Sequence, residues 1–290
     1  MFVTNFRGES IPVIRRTVTE VGFTLVATDH SGRSVPTLSA ADIEVLDNGR
    51  PIPNFELRPA ENNPLRVGIM LDLSESTKKN WVVTEKAVTN FLQQLMRPKD
   101  QMLLVAFDSK VELERTVTEP QQVTALIPTL QGGGSTALYD AVYSTCRNAT
   151  FIDGGEPRRS ALILFSDGED NLSMHDLEQT IGGAQSRGIA VYTISVHSRR
   201  VEYPGDRVLR KLADATGGRD FVIRQEGDLR TAFETISSEL RSYYLLYYRP
   251  PNETGTREFR HVRVVPTQGA GPVLRYRDGY YTVPLPAGDH

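Results

Sequence analysis

Cysteine is almost absent from this 290-residue chain, where Cys146 stands alone. A single thiol excludes an intrachain disulfide and any zinc site built on paired cysteines. It lies in the helix-like stretch opened by Tyr139-Asp140-Ala141-Val142-Tyr143 and reads as a small buried apolar residue. Histidine is scarce as well. His30, His175, His197, His261 and His290 form no evident cluster and read as surface residues rather than catalysts. Neither sign of charge dominates: the net charge of −3 gives no overall reason to expect nucleic acid or an acidic membrane as partner. No run of about eighteen apolar residues occurs, so no membrane span is expected. The opening MFVTNFRGESIPVIRRTVTE lacks the basic-then-apolar order of a secretory signal. The apolar fraction of 39% and charged fraction of 24% are those of a soluble globular protein, which excludes disorder. The length suits one large domain or two modest ones.

Three textures follow along the chain. Residues 1 to 63 read as β structure. Val21–Thr28 is rich in β-branched and aromatic residues, and Ile43-Glu44-Val45-Leu46 runs into Asp47-Asn48-Gly49, a hairpin signal because Asn and Gly tolerate positive φ. The Pro and Asn cluster from Pro59 to Pro64 reads as a linker. Residues 64 to 241 alternate between strand and helix. Leu65–Leu71, Met102–Phe107, Ala161–Phe165, Ala190–Val196 and Phe221–Ile223 are expected strands. Helices are expected from Trp81 to Leu95, then over Thr136–Asn148, His175–Arg187, Val208–Thr216 and Leu229–Leu240. Such alternation predicts an α/β fold, a doubly wound, mostly parallel Rossmann-like sheet flanked by helices. Val111–Val117 follows its predecessor through a tight link and is expected as an antiparallel edge strand. From residue 242 to 290 the β texture returns, in Tyr243–Tyr248, Phe259–Val265 and Val273–Arg277. Isolated hairpins are marginally stable. The two flanks are therefore expected to pair into one smaller Ig-like β-sandwich with the α/β domain inserted in it; the alternative is that each flank packs separately.

The chemistry concentrates at one expected edge of the sheet. Asp72-Leu73-Ser74-Glu75-Ser76 follows the first buried strand, Gly132-Gly133-Gly134-Ser135 delivers Thr136 at a helix start, and Ser166-Asp167-Gly168 follows a later buried strand. In a doubly wound sheet, ligands bind outside the carboxyl ends of the strands. Together these segments offer two carboxylates and three hydroxyls, with no nitrogen or sulfur. Hard oxygens of this kind suit Mg²⁺, Mn²⁺ or Ca²⁺, and the few anionic groups would leave a coordination position open.

The pattern D-x-S-x-S, a later Thr after glycines and a later Asp in S-D-G resembles the metal-ion-dependent adhesion site of von Willebrand factor A domains. That resemblance covers roughly Leu65 to Leu240. The DNGRP hairpin and the R-x-R-x-G-Y ending (Arg275, Arg277, Gly279, Tyr280) resemble a bacterial group of related proteins. The resemblance implies that Ser74 and Ser76 ligate a divalent cation directly, Thr136 directly or through water, and Asp72 and Asp167 mainly through water and hydrogen bonds. It implies a non-enzymatic adhesion or assembly module whose metal accepts an exposed Glu or Asp from a protein partner, in an extracellular or periplasmic setting. It also implies that Thr136 couples ligand binding to movement of the last helix. The acidic residues that would build a second, adjacent metal site are replaced by Thr77-Lys78-Lys79; a single-ion site is expected, with Lys78 and Lys79 facing an acidic partner.

The same residues admit other readings. Ser76 alone could cap the following helix. The glycine run lacks the Lys of a phosphate loop, and no G-x-S-x-G elbow occurs. A metal-dependent hydrolase using the same ion is the alternative function. Asp140, one turn after Thr136, is expected to hydrogen-bond the site loops, and Glu169, Asp170 and Asn171 to be solvated or to support the site from behind. The C-terminal arginines (Arg257, Arg260, Arg263, Arg275, Arg277) are expected on a solvated strand face.

Overall fold

The computed structural model describes residues 2–4, 10–12, 20–61, 63–77, 81–117, 119–148, 151, 159–196, 203–251, 257–269 and 271–282. After a short antiparallel ladder, β1 (Phe2–Thr4) with β2 (Ser10–Pro12), come β3 (Val21–Thr28), β4 (Ile43–Asp47), β5 (Arg50–Pro51) and β6 (Phe55–Glu61). The α/β region runs β7 (Leu65–Asp72), α1 (Trp81–Leu95), β8 (Gln101–Phe107), β9 (Val111–Val117), α2 (Pro120–Leu126), α3 (Leu138–Cys146), β10 (Arg159–Phe165) and α4 (Leu177–Ser186). It continues with β11 (Ile189–Val196), α5 (Pro204–Thr216), β12 (Asp220–Ile223) and α6 (Glu226–Arg241). The chain then returns to strands: β13 (Ser242–Tyr248), β14 (Phe259–Pro266), β15 (Val273–Arg275) and β16 (Gly279–Tyr281).

The central sheet has the order β12-β11-β10-β7-β8-β9, parallel except for β9, which pairs antiparallel with β8 at the edge. Its middle strands are apolar because both faces are covered: every residue of β7 and β10 is buried. One face packs on α1 and α6, where Phe91 stacks on Phe233 with centroids 4.3 Å apart. The other packs on α3, α4 and α5. The connection from β7 leads to one side, to β8, and the connection from β10 to the other, to β11. Strand order therefore reverses between β7 and β10, which opens a crevice beyond their carboxyl ends.

Helix boundaries differ from expectation for identifiable reasons. The third helix starts at Leu138 rather than Thr136, because the N–H groups of Thr136 and Ala137 are held by Asn171 Oδ1 and the Asp108 carbonyl. The α5 helix begins four residues before Val208, at Pro204, where a proline's missing N–H carries no penalty. It stops at Gly217 in the left-handed region, φ +79°.

The flanking strands form two antiparallel sheets, β15-β3-β13-β6 and β16-β14-β4-β5, each built from both ends of the chain. Between them lies one apolar core that includes Phe23, Leu25, Val45, Leu246 and Val264. The turn after β4 places Asn48 and Gly49 at φ +46° and +76°, as its sequence predicts. The linker expected from Pro59 to Pro64 is corrected at its start: Pro59, Ala60 and Glu61 belong to β6, which pairs with β13 along its length. Because β6 is an edge strand, a proline in it breaks no ladder between two neighbours. The solvated face expected of the C-terminal arginines is corrected in part: Arg257 and Arg263 are exposed, but Arg260 and Arg277 are not. Arg260 is buried and donates to Asp47 Oδ1 at 2.7 Å, while Tyr248 and Tyr280 donate to Asp47 Oδ2. Arg277 lies 4.6 Å from the Phe23 ring and donates to the carbonyls of Gln185 and Gly22, joining α4 to the sandwich. Helix α6 passes into β13 without an intervening residue.

Candidate metal-binding site

Register places Leu71 opposite Phe165, so the residues just beyond, Asp72 and Ser166, meet at the crevice. The Ser166 hydroxyl donates to Asp72 Oδ2 at 2.6 Å, and the Ser74 amide donates to Asp72 Oδ1 at 2.9 Å. Asp72 is only 1% exposed. Burial pushes its carboxyl up to about 6; the Ser166 and Ser74 hydrogen bonds pull it down, and the nearby negative charge of Asp167 raises it further. Ser74 is buried and Ser76 exposed, and their hydroxyl oxygens lie 3.2 Å apart. Thr77 locks this turn by donating its hydroxyl to the carbonyls of Asp72 and Ser74.

Two further loops close on this turn. Gly132 packs so tightly on Leu73 that a Cβ there would sit 2.2 Å from Leu73 Cβ. The buried Thr136 donates its N–H to Asn171 Oδ1 at 2.9 Å, and its carbonyl accepts from the amides of Asn171 and Leu172. The Thr136 loop is thereby tied to the Asp167 loop. Asp167 is half-buried and accepts from the Glu169 amide. Gly168, at φ +80°, runs against the backbone of Gly205 at the start of α5, an approach no side chain would permit.

Asp140 accepts from the amides of Met174 and His175, and its Oδ1 lies 2.6 Å from His175 Nδ1, which donates to it in the tautomer protonated at Nδ1. It thus orders the segment after Asp167. Lys78 and Lys79 lie outside the described residues. Sequence reasoning assigned no role to Ser166, although it stands beside Asp167 in the quoted motif. It also missed Asp108, whose carbonyl holds Ala137. Of the two roles the sequence allows Asp170 and Asn171, the structure shows support: their side chains accept from the amides of Tyr139 and Thr136. Short Asn and Asp side chains in a glycine-bearing loop are the available signal, since they bond nearby backbone readily.

The donor set fits a hard divalent cation. Asp72 is driven toward protonation by burial and by the neighbouring Asp167 charge, and the Ser74 and Ser76 hydroxyls stand side by side. No group of three or more His, Cys, Asp or Glu gathers among the described residues, so a cation here would lean on hydroxyls and water.

The family model for the von Willebrand factor type A domain matches residues 67–235, more than half of the chain. A curated UPF0353 protein of Mycolicibacterium vanbaalenii is 21% identical over 215 residues, 65% of this chain and 64% of that protein, so the chain spans just under two thirds of this relative. Among solved structures, a von Willebrand factor type A protein from Catenulispora acidiphila is similar with a TM-score of 0.52 at 14% identity, over 85% of this chain and 75% of that one. Proximal thread matrix protein 1 from the mussel byssus is similar with a TM-score of 0.51 at 14% identity, over 65% and 49%. At such identities the structures speak for the fold.

Proposed function

We propose a function from one plain fact, that this chain belongs to the von Willebrand factor type A domain family. Such domains are generally protein-interaction modules. On our reading this one binds its partner through a divalent cation, Mg²⁺ or in its place Mn²⁺ or Ca²⁺, held at the crevice between β7 and β10. Ser74 and Ser76 would ligate it, Thr136 would do so directly or through water, and Asp72 and Asp167 would supply the negative charge. A cation so bound would offer an open position to a Glu or Asp carboxylate of the partner.

The observation that carries this reading is the Asp72 carboxylate, buried at the strand end beside Asp167 and the paired Ser74 and Ser76 hydroxyls. The residues of the chain do the positioning. Ser166 and the Ser74 amide orient the Asp72 oxygens, and Asn171 sets the depth of Thr136. An extracellular or periplasmic setting is part of the proposal, by analogy with family members. No observation favours the hydrolase reading.

Calorimetric titration of Mg²⁺ or Mn²⁺ into the wild type and Asp72→Ala is the test, followed by partner capture with and without EDTA. Binding by the wild type, its loss in the variant and EDTA-sensitive capture are expected. Capture that survives both EDTA and the substitution would sink the metal bridge.

A further inference from the structure

Among the described residues, four large apolar side chains are exposed, and two of them, Leu172 at 51% and Met174 at 92%, lie two residues apart in the segment hydrogen-bonded to Thr136 and Asp140. Scattered surface hydrophobics are ordinary and need no explanation. These two differ because the backbone that carries them is held at every residue. The amides of Asn171 and Leu172 donate to the Thr136 carbonyl at 3.0 and 3.1 Å. The Ser173 amide donates to Asp170 Oδ1, and those of Met174 and His175 donate to the two Asp140 oxygens. The Ser173 hydroxyl accepts from the Asp140 amide and donates to Asp170 Oδ2. His175 stacks on Tyr143, with centroids 4.0 Å apart.

Five consecutive N–H groups are thus satisfied in one conformation, and that conformation turns Leu172 and Met174 outward. The segment is continuous with the site, since Leu172 is one hydrogen bond from Thr136. A preorganised loop loses little conformational freedom when a partner covers it. Met in particular adapts its shape to varied apolar surfaces.

We propose that Leu172 and Met174 form an apolar rim that selects the partner of the cation site. This rests on the metal-bridge reading above. The partner is a protein loop whose acidic residue has a large apolar side chain within two positions of it. The carboxylate is captured at the crevice while the apolar side chain covers Leu172 and Met174. An acidic residue in a wholly polar loop would satisfy the cation and leave the rim wet.

The probe is a library of disulfide-closed cyclic heptapeptides, selected on the full chain in Mg²⁺ and released with EDTA. The expected yield is peptides with Glu or Asp adjoined by Leu, Ile, Met or Phe. The Leu172→Ser/Met174→Ser variant should bind them at least tenfold more weakly, with Mg²⁺ affinity unchanged. Acidic peptides with no apolar preference, or equal binding by the variant, would overturn the rim and leave the cation site standing. A wild type that binds no Mg²⁺ would overturn the metal bridge itself, and the rim with it.

Discussion

Charge is buried at both ends of the central sheet, by different means. At the carboxyl ends of β7 and β10, Asp72 meets only nearby groups: the Ser166 hydroxyl, the Ser74 backbone amide and the neighbouring Asp167. At the opposite ends, long side chains converge from distant elements. Arg159 donates to the Tyr192 hydroxyl at 3.1 Å and lies 4.7 Å over the Tyr243 ring. Arg219 pairs with the fully buried Glu239 at 2.9 Å, and Arg241 pairs with Asp100 while donating to the Leu95 carbonyl. One end buries Asp72 beside a second carboxylate, and burial first, with the Asp167 charge adding to it, raises its pKa. The other pairs each carboxylate with a guanidinium, at the point where α6 becomes β13. The arginine end neutralises its carboxylates within the chain, whereas the aspartate end keeps an electrostatic cost that a cation would relieve.

The contrast can be broken from the arginine side first. Arg241→Ala removes the counter-charge of the almost fully buried Asp100 side chain, leaving it the Leu65 and Arg97 amides, and should cost about 3 kcal/mol in urea unfolding. Mg²⁺ affinity of the folded protein should not change; a loss would mean that the two ends are coupled through α6. The aspartate side should respond with the opposite sign. In the metal-free protein, the Asp72 pKa of about 6 lies above the ordinary 3.8. Its stabilising contribution is complete below about pH 4 and is lost as pH rises through about 6. Asp72→Asn keeps the Ser166 bond and gives up that from the Ser74 amide. It should therefore still be more stable than wild type at pH 8 in EDTA, by about 1–2 kcal/mol once that lost bond is set against the roughly 3 kcal/mol of the pKa shift. The gap should close toward pH 4 in thermal unfolding across that range. A variant less stable at every pH would show that Asp72 already has its counter-charge.

Smaller effects sharpen the picture. Gly132→Ala drives a Cβ into Leu73 and should cost about 1–3 kcal/mol, with weakened Mg²⁺ binding by calorimetry as the Thr136 loop lifts. Asn171→Ala removes the acceptor of the Thr136 amide and should cost about 1 kcal/mol. Mg²⁺ affinity should fall with it; an unchanged affinity would remove Asn171 from the positioning of Thr136.

Legibility in the sequence followed the range of the interactions. The strand run Leu65–Leu71, the Asn48-Gly49 turn and the D-x-S-x-S spacing were readable because period and turn chemistry act over a few residues. The strand β6 was not, since Pro59 carries a turn signal that only an edge position overrides. Arg260 read as a surface charge, because Asp47 is 213 residues away in sequence. Asn171 reads only as solvated or supporting, with no partner named, because Thr136 reaches it across 35 residues.

By itself, then, the sequence determined the alternation of strands and helices, the hairpin turns and the oxygen-bearing side chains at the strand ends. Those are consequences of backbone preference and side-chain periodicity within single segments. The tertiary structure alone decided that strand order reverses between β7 and β10. It also decided that both flanks share one core, that arginines close one end of the sheet, and that Leu172 and Met174 face outward beside Thr136. Each of these depends on which distant groups satisfy a buried charge or an open N–H, and that choice is settled only when the segments pack.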